Sequence, residues 1–227
     1  MSELHTKRFP NESTDYRAAR NALLDEEIAL RRHTERVAQM RRELPPGGKL
    51  KEDYAFDEVV NGLAQKTKLS ELFAPGKDTL VIYSMMYHPD EENACPSCTS
   101  IVDGLDGASP HIQDKINFVV ITKAPIEKTL KWAAGRGWKN VRLLSSFSNT
   151  YNHDYLAEND KGGQSPILNV FQKTPEGIYH TYATELLFAP SDPGQNNRHV
   201  DIIWPIWNMF DYTPEGRGTD WYPKFKY

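Results

Sequence analysis

Thr79-Leu80-Val81-Ile82-Tyr83-Ser84-Met85-Met86-Tyr87, followed after a short polar stretch by Asn93-Ala94-Cys95-Pro96-Ser97-Cys98, decides the fold. The first run is almost continuously apolar or aromatic and of strand length, as a central buried strand should be. Thr99-Ser100-Ile101-Val102-Asp103 comes next and can start a helix. Cys95 and Cys98 are the only two cysteines of the chain. A CxxC at a strand–helix junction has the spacing of a redox dithiol.

Downstream the alternation continues. The helix after Cys98 is expected to run to about Pro110. Ile116-Asn117-Phe118-Val119-Val120-Ile121-Thr122 reads as a second buried strand. Pro125 suits the first position of a helix from Ile126 to about Ala134, and Gly135-Arg136-Gly137 stops it. This rhythm implies a parallel β-α-β crossover. Residues 141–147 read as a short edge strand, and 148–164 as a polar, irregular loop. Residues 166–171 and 178–184 form two further strands, joined as a hairpin by Thr174-Pro175-Glu176-Gly177. Asp201 is expected to cap a helix over 202–210, unless Pro205 kinks it or shifts its start toward the proline, and Trp221, Tyr222 and Phe225 make a tail that packs back. Two parallel strands around a helix, then an antiparallel hairpin, is the thioredoxin-like order. The predicted fold is therefore α/β, with a central mixed sheet and the CxxC at a helix N-terminus.

Upstream, residues 13–44 contain no Gly or Pro and read as one long helix. Tyr16, Leu23, Leu30, Val37 and Leu44 recur at a spacing of seven, a stripe interrupted by Glu26 and His33. The reading preferred is a helix laid across its own domain. The competing one is a helix packed against a second subunit, a homodimer through the N-terminal helix. Its seven Arg are matched by six acids, so a solvated mixed-charge face is the plain explanation. Pro45-Pro46-Gly47-Gly48 marks a hinge-like boundary. The expected organisation is a helical extension over 1–48 and a domain over 49–227 with an aromatic C-terminal elaboration. Residues 49–60 are expected to form a short strand or hairpin, and Leu69–Phe73 one helical turn.

The composition, 39% apolar and 26% charged with a net charge of −4, is that of a soluble globular protein. Without a basic excess, no nucleic-acid partner is expected. No apolar h-region opens the chain and no apolar run is long enough for a bilayer, so a cytoplasmic location with no membrane partner is expected. In that compartment a CxxC is catalytic or metal-binding rather than structural. Zinc needs four ligands. His5, His33, His88, His111, His153, His180 and His199 include no pair at zinc-ligand spacing, so no metal and no cofactor are expected; a zinc site joining the cysteines to a distant His88 or His180 is the minor alternative.

A disulfide is attacked by thiolate, so the site must lower one thiol pKa. At a helix start, free N–H groups and the dipole favour the anion at Cys95, and the Cys98 S–H can donate to it. Cys95 is then the attacker and Cys98, one turn in, the resolver. Asp90, Glu91 and Glu92 oppose the anion, within the limits of solvent screening. Two inert buried thiols are the bland alternative.

Several segments carry a resemblance: Asn93–Cys98, Val120-Ile121-Thr122-Lys123-Ala124-Pro125, Leu144–Ser148, Tyr179–Thr184 and Asp211–Arg217, in this order. Together they resemble a bacterial family of uncharacterised thioredoxin-like proteins, a domain of unknown function catalogued as predicted dithiol–disulfide oxidoreductases. The resemblance implies catalytic roles for Cys95 and Cys98. It implies a cis-proline at Pro166 facing the dithiol, with Ser165 offering backbone to an extended substrate. The bland reading of Pro166 is an ordinary trans proline at a strand start. His180 lies within the family signature, so it is a candidate for moving protons near the dithiol. A hydrogen-bonded structural histidine is the preferred reading of it. His88, at the strand end, has the same two readings. The C-terminal aromatics either line a pocket or pack as core. Ala94 stands where thioredoxin itself has Trp, which argues against a general protein reductase. The layout of residues 115–147 also resembles peroxiredoxins, but Pro89 stands six residues before Cys95, not at the peroxiredoxin spacing. The expected activity is thiol–disulfide exchange with a small thiol compound or a protein. A thiol peroxidase using Cys95, and a non-catalytic binding or assembly module, are the alternatives.

Overall fold

The computed structural model describes residues 4–227. The chain divides between Pro45 and Pro46 into two compact units. The first contains one long helix, α1 (Thr14–Arg42). Ser13 caps it, its hydroxyl accepting the Tyr16 N–H. Asp15 sits in its first turn and Arg41 and Arg42 in its last, each on the side the helix dipole favours. Glu12 accepts from Nε and an Nη of the Arg17 guanidinium, and Arg17 is largely covered.

In the second unit the strands are β1 (Ala55–Val60), β2 (Leu63–Lys68), β3 (Thr79–Met85), β4 (Asn117–Thr122), β5 (Leu143–Ser145), β6 (Ile167–Thr174) and β7 (Gly177–Ala183). The helices are α2 (Pro96–Lys115), α3 (Ile126–Arg136), and the short α4 (Tyr151–Asp154) and α5 (Ile206–Asp211). One mixed sheet runs β2-β1-β5-β4-β3-β6-β7. β3 pairs parallel with β4 and antiparallel with β6, and β6 turns back into β7. The β4-β3-β6-β7 half, with α2 and α3 as crossovers, is the thioredoxin-like arrangement.

Side chains alternate across β3 and divide the core between the two faces. Tyr83 and Met85, with Tyr87 beyond the strand end, face Cys98, Ile101 and Val102 of α2. Leu80 and Ile82 face Tyr54, Phe56, Tyr151 and Phe171. The dithiol belongs to the first face.

The structure departs from expectation at several places. β5 is interior rather than an edge, because the β1-β2 hairpin pairs onto it through Asp57 and Ser145. α2 continues through Pro110 to Lys115, Ile112 packing on the dithiol-side core beyond the proline. Asp201 caps nothing: Pro205 precedes α5, and the Asp201 carboxylate is held by Arg217 and Arg198. Gly47-Gly48 is paired along β7, with Gly47 N–H donating to the His180 carbonyl at 3.0 Å and His180 N–H to that of Gly48 at 2.9 Å. A Cβ on Gly47 would run into that same His180 carbonyl. No helix among the described residues is long and apolar enough to cross a membrane.

Candidate functional site

β3 ends at Met85 and the chain loops out before α2 begins. Three hydrogen-bonding groups fix that loop. Cys95 N–H donates to Met86 O at 3.1 Å, and the Tyr87 hydroxyl to Glu92 O at 3.1 Å. From α3, the Lys128 ammonium donates to the carbonyls of Pro89, at 2.6 Å, and Glu91. Cys95 thus becomes the N-cap of α2, with Pro96 at the first helical position and Thr99 N–H returning to Cys95 O at 2.9 Å. Proline fits there because that N–H has no intrahelical partner.

The two free cysteines lie 3.7 Å apart, Cys95 partly exposed and Cys98 fully buried. Their acidities diverge. The Cys98 thiol first, then the N–H groups of Cys98 and Ser97 and the Ser97 hydroxyl, favour the Cys95 anion and outweigh its partial burial. Its pKa falls from 9.0 to about 6. Burial, then the neighbouring Cys95 sulfur, pushes the Cys98 thiol well up. Asp90, Glu91 and Glu92 are not among the largest influences on Cys95, and the Asp90 side chain is 91% exposed.

Tyr83 lies beneath Cys98. Its ring is fully buried, and its hydroxyl has no hydrogen-bond partner among the described residues. The titratable groups that act on it are Cys98 and then Cys95. A phenol sealed away from water without a partner is costly, so this hydroxyl is an unused donor beside the dithiol. Burial, then Cys98, raises the Tyr83 pKa, which keeps the phenol a donor.

Aromatic residues cover the first turns of α2. Trp132 of α3 donates its indole N–H to Thr99 Oγ1 at 3.2 Å, and Trp204 donates to Ser100 Oγ at 3.0 Å. The hydroxyls of Ser97 and Tyr222 hydrogen-bond each other. Phe225 stacks edge-on against Trp132 at 5.1 Å, and its carbonyl accepts from Arg136. A cleft of about 540 Å³ remains, with Cys95 in its wall beside Met86, His88, Pro96, Gln164 and Phe225.

The sequence-derived candidates distribute unevenly. Cys95 and Cys98 are together. The observed β3–β6 register ends at Ser84↔Ile167; extended by two pairs it would set Pro166 opposite Met85 and Ser165 opposite Met86, whose carbonyl holds Cys95. No described peptide bond is cis, so the cis geometry implied for Pro166 is absent. The preceding loop folds back, Ser165 N–H donating to Ala157 O at 2.9 Å, and feeds β6 in a trans geometry. His180 is not brought to the dithiol. It pairs with Phe171 on β6 and packs against the Phe171 and Tyr155 rings, on the opposite face of the sheet. Its Nε2 meets Asn169 Oδ1 at 2.9 Å, and burial lowers its pKa. These are the contacts of a hydrogen-bonded core side chain. His88 does line the Cys95 cleft, its Nδ1 accepting the Asp90 N–H at 3.2 Å. Among the described residues no three His, Cys, Asp or Glu side chains cluster as metal ligands.

Sequence reasoning missed Tyr83 and Ser97. For Tyr83 a signal existed. Its phase along β3, shared with Met85 and Tyr87, puts it on the face that receives α2.

A family profile described as "Bacterial protein of unknown function (DUF899)" matches residues 6–227. No curated protein matches the chain. Among solved structures, an uncharacterized conserved protein from Geobacillus kaustophilus is 16% identical with a TM-score of 0.44, covering 67% of this chain and 74% of its own. A mutant of peroxiredoxin Q from Xanthomonas campestris is 12% identical, TM-score 0.46, over 72% of this chain and 96% of its own. Peroxidoxin BcpB from Mycobacterium tuberculosis is 15% identical, TM-score 0.46, with the same coverage of 72% and 96%. The fold assignment rests on the sheet order, not on these distant likenesses.

Proposed function

The chain belongs to DUF899, a family of bacterial proteins of unknown function, and we propose that it is a dithiol–disulfide oxidoreductase. One observation carries the reading: a partly exposed thiol of lowered pKa lies 3.7 Å from a sealed thiol of raised pKa, at a helix N-terminus. Such a pair is set for attack by one sulfur and resolution by the other.

The Cys95 thiolate attacks one sulfur of a substrate disulfide. A Cys95–substrate S–S bond forms, the substrate S–S bond breaks, and one half leaves as thiolate. Cys98 then gives up its proton and attacks the Cys95 sulfur. The Cys95–Cys98 bond forms and the second half leaves. The substrate gains two electrons and the dithiol loses them. Every step is reversible, so a dithiol donor resets the site. The β6 approach at Ser165 and Pro166 offers an extended substrate a backbone edge. Because the Ser165 N–H is already committed to Ala157, that pairing uses the Ser165 carbonyl.

The test is equilibration in glutathione and dithiothreitol buffers, with thiols trapped by alkylation and counted by mass. A reversible Cys95–Cys98 disulfide is expected, and Cys98→Ser should trap a mixed disulfide that Cys95→Ser does not. Slow alkylation of both thiols with no reversible disulfide would instead make the chain a binding module.

A further inference from the structure

Beside the cleft that holds Cys95 lies a second cavity of about 600 Å³, with Tyr87, Asn93 and Phe225 as shared wall. Its volume suits a small molecule. Its lining is strongly polarised. Lys128, Lys131, Arg136 and Lys226 face it against a single carboxylate, Glu92, while the chain as a whole carries −4. Arg136 is matched by Asp103, their closest approach being 2.5 Å. Among the described residues no carboxylate pairs with Lys128, Lys131 or Lys226. The Lys128 ammonium is instead held by backbone carbonyls and sits 4.9 Å over the Tyr87 ring. Between these cations stand aromatic faces, with Tyr87 and Trp132 at 5.7 Å and Trp132 and Phe225 at 5.1 Å.

Cations around aromatic walls select a ligand that is anionic and has a flat or apolar body. Resting on the oxidoreductase reading above, we propose that the substrate is a small anionic disulfide. Its carboxylate end lies in this cavity among Lys128, Lys131 and Lys226, and its sulfur end reaches over Tyr87 and Phe225 to Cys95. The cavity then supplies selectivity and the dithiol supplies chemistry. An uncharged disulfide of similar shape reaches Cys95 but gains nothing from the lysines.

Stopped-flow reaction of the reduced full chain with two aromatic probes tests this. Dithiobis-nitrobenzoate is anionic and dithiodipyridine is neutral. Each rate is divided by that of mercaptoethanol with the same probe, which removes intrinsic reactivity. The corrected anionic-to-neutral ratio is expected to exceed one by about tenfold at low salt and to fall toward one as ionic strength rises. Combining Lys131→Glu with Lys226→Glu, both exposed positions, should collapse the ratio while circular dichroism stays unchanged. A ratio near one, insensitive to salt and to both substitutions, overturns the proposal and leaves the oxidoreductase reading intact. Failure of both probes to react at Cys95 overturns both.

Discussion

Tyr83 and Cys98 are both fully buried in the same core cluster, and each acts on the other's acidity. The Tyr83 hydroxyl has no hydrogen-bond partner at rest, so it is free to donate to the Cys98 sulfur, a donation that matters most when that sulfur is an anion. Cys98 becomes one only when it resolves a mixed disulfide. Tyr83→Phe should therefore slow resolution by about tenfold, the worth of one such hydrogen bond, and leave attack by Cys95 nearly unchanged. Rapid-quench trapping should show the mixed disulfide accumulating. The pH midpoint of resolution should move up, since the Tyr83 bond lowers the Cys98 pKa. Equal slowing of both steps would mean a packing defect instead.

The lowered pKa of Cys95 gives a pH signature. Its thiolate is favoured first by the Cys98 thiol and then by the Ser97 and Cys98 N–H groups and the Ser97 hydroxyl. Alkylation of reduced protein should rise through a midpoint at about pH 6 and then stay flat. The linked stability has the sign of a depressed acid. It is fully present above the unfolded thiol value and is lost as pH falls through about 6. The melting temperature of the reduced chain, minus that of Cys95→Ser, should fall between those limits. Ser97→Ala should shift the midpoint upward, losing one donor to the thiolate and the Tyr222 hydroxyl contact together.

Local patterning made the centre of this fold readable and left its margins dark. β3, β4 and the β6-β7 hairpin announce themselves as apolar runs between turn residues, and two cysteines in one strand–helix junction leave little choice about where the dithiol sits. The β1-β2 hairpin was half seen. Asn61-Gly62, both at positive φ, is a two-residue hairpin turn whose dipeptide is legible, yet β2 is largely exposed and has no apolar run to mark it. Gly47-Gly48 looks like a hinge in sequence, and only the pairing with His180 turns it into sheet margin. His180 illustrates the same limit. A signature position cannot say which face of the sheet it serves, and a bulge between Val170 and Phe171 helps set that register. The tail over α2 depends on contacts more than a hundred residues apart, such as Trp204 with Ser100, which no local pattern encodes.

Glu58 provides a stability prediction away from the dithiol. It is buried on β1, and burial alone would raise its pKa. Hydrogen bonds from Arg142, at 2.7 and 2.9 Å, and from Thr67, at 2.7 Å, outweigh that and leave it lowered. These bonds tie the β1-β2 hairpin to the residue preceding β5. Glu58→Ala should cost about 2 kcal/mol, discounted because Arg142 keeps partial access to water. Urea melts at neutral pH check it. As for any depressed carboxyl, the contribution is present above its ordinary 4.5 and disappears as pH falls through the lower folded value. The gap between wild type and variant should therefore close in acid.

The C-terminal cover over the dithiol has its own fastening, which can be loosened without touching the sulfurs. Arg217 holds Asp201 at 2.5 Å and Asp211 at 2.7 Å, and Arg198 joins Asp211 at 2.8 Å. The Arg217 contact, ahead of that with Arg198, brings the Asp211 pKa down to about 2. The guanidinium is one-tenth exposed and lies 6.0 Å from the Trp207 ring, so its loss would leave Asp201 and Asp211 held together by the half-exposed Arg198 alone. Arg217→Ala should free the segment from Trp204 to Phe225 from α2, raising its hydrogen exchange by about tenfold or more. With Trp204 and Tyr222 withdrawn from Ser100 and Ser97, Cys98 should become alkylatable at rates measurable beside Cys95. Arg217→Lys should restore only part of the protection, because an ammonium cannot bridge two carboxylates with the geometry of a planar fork. A variant with faster exchange in the tail but an unchanged Cys98 rate would mean that the strands and α2 alone seal that thiol.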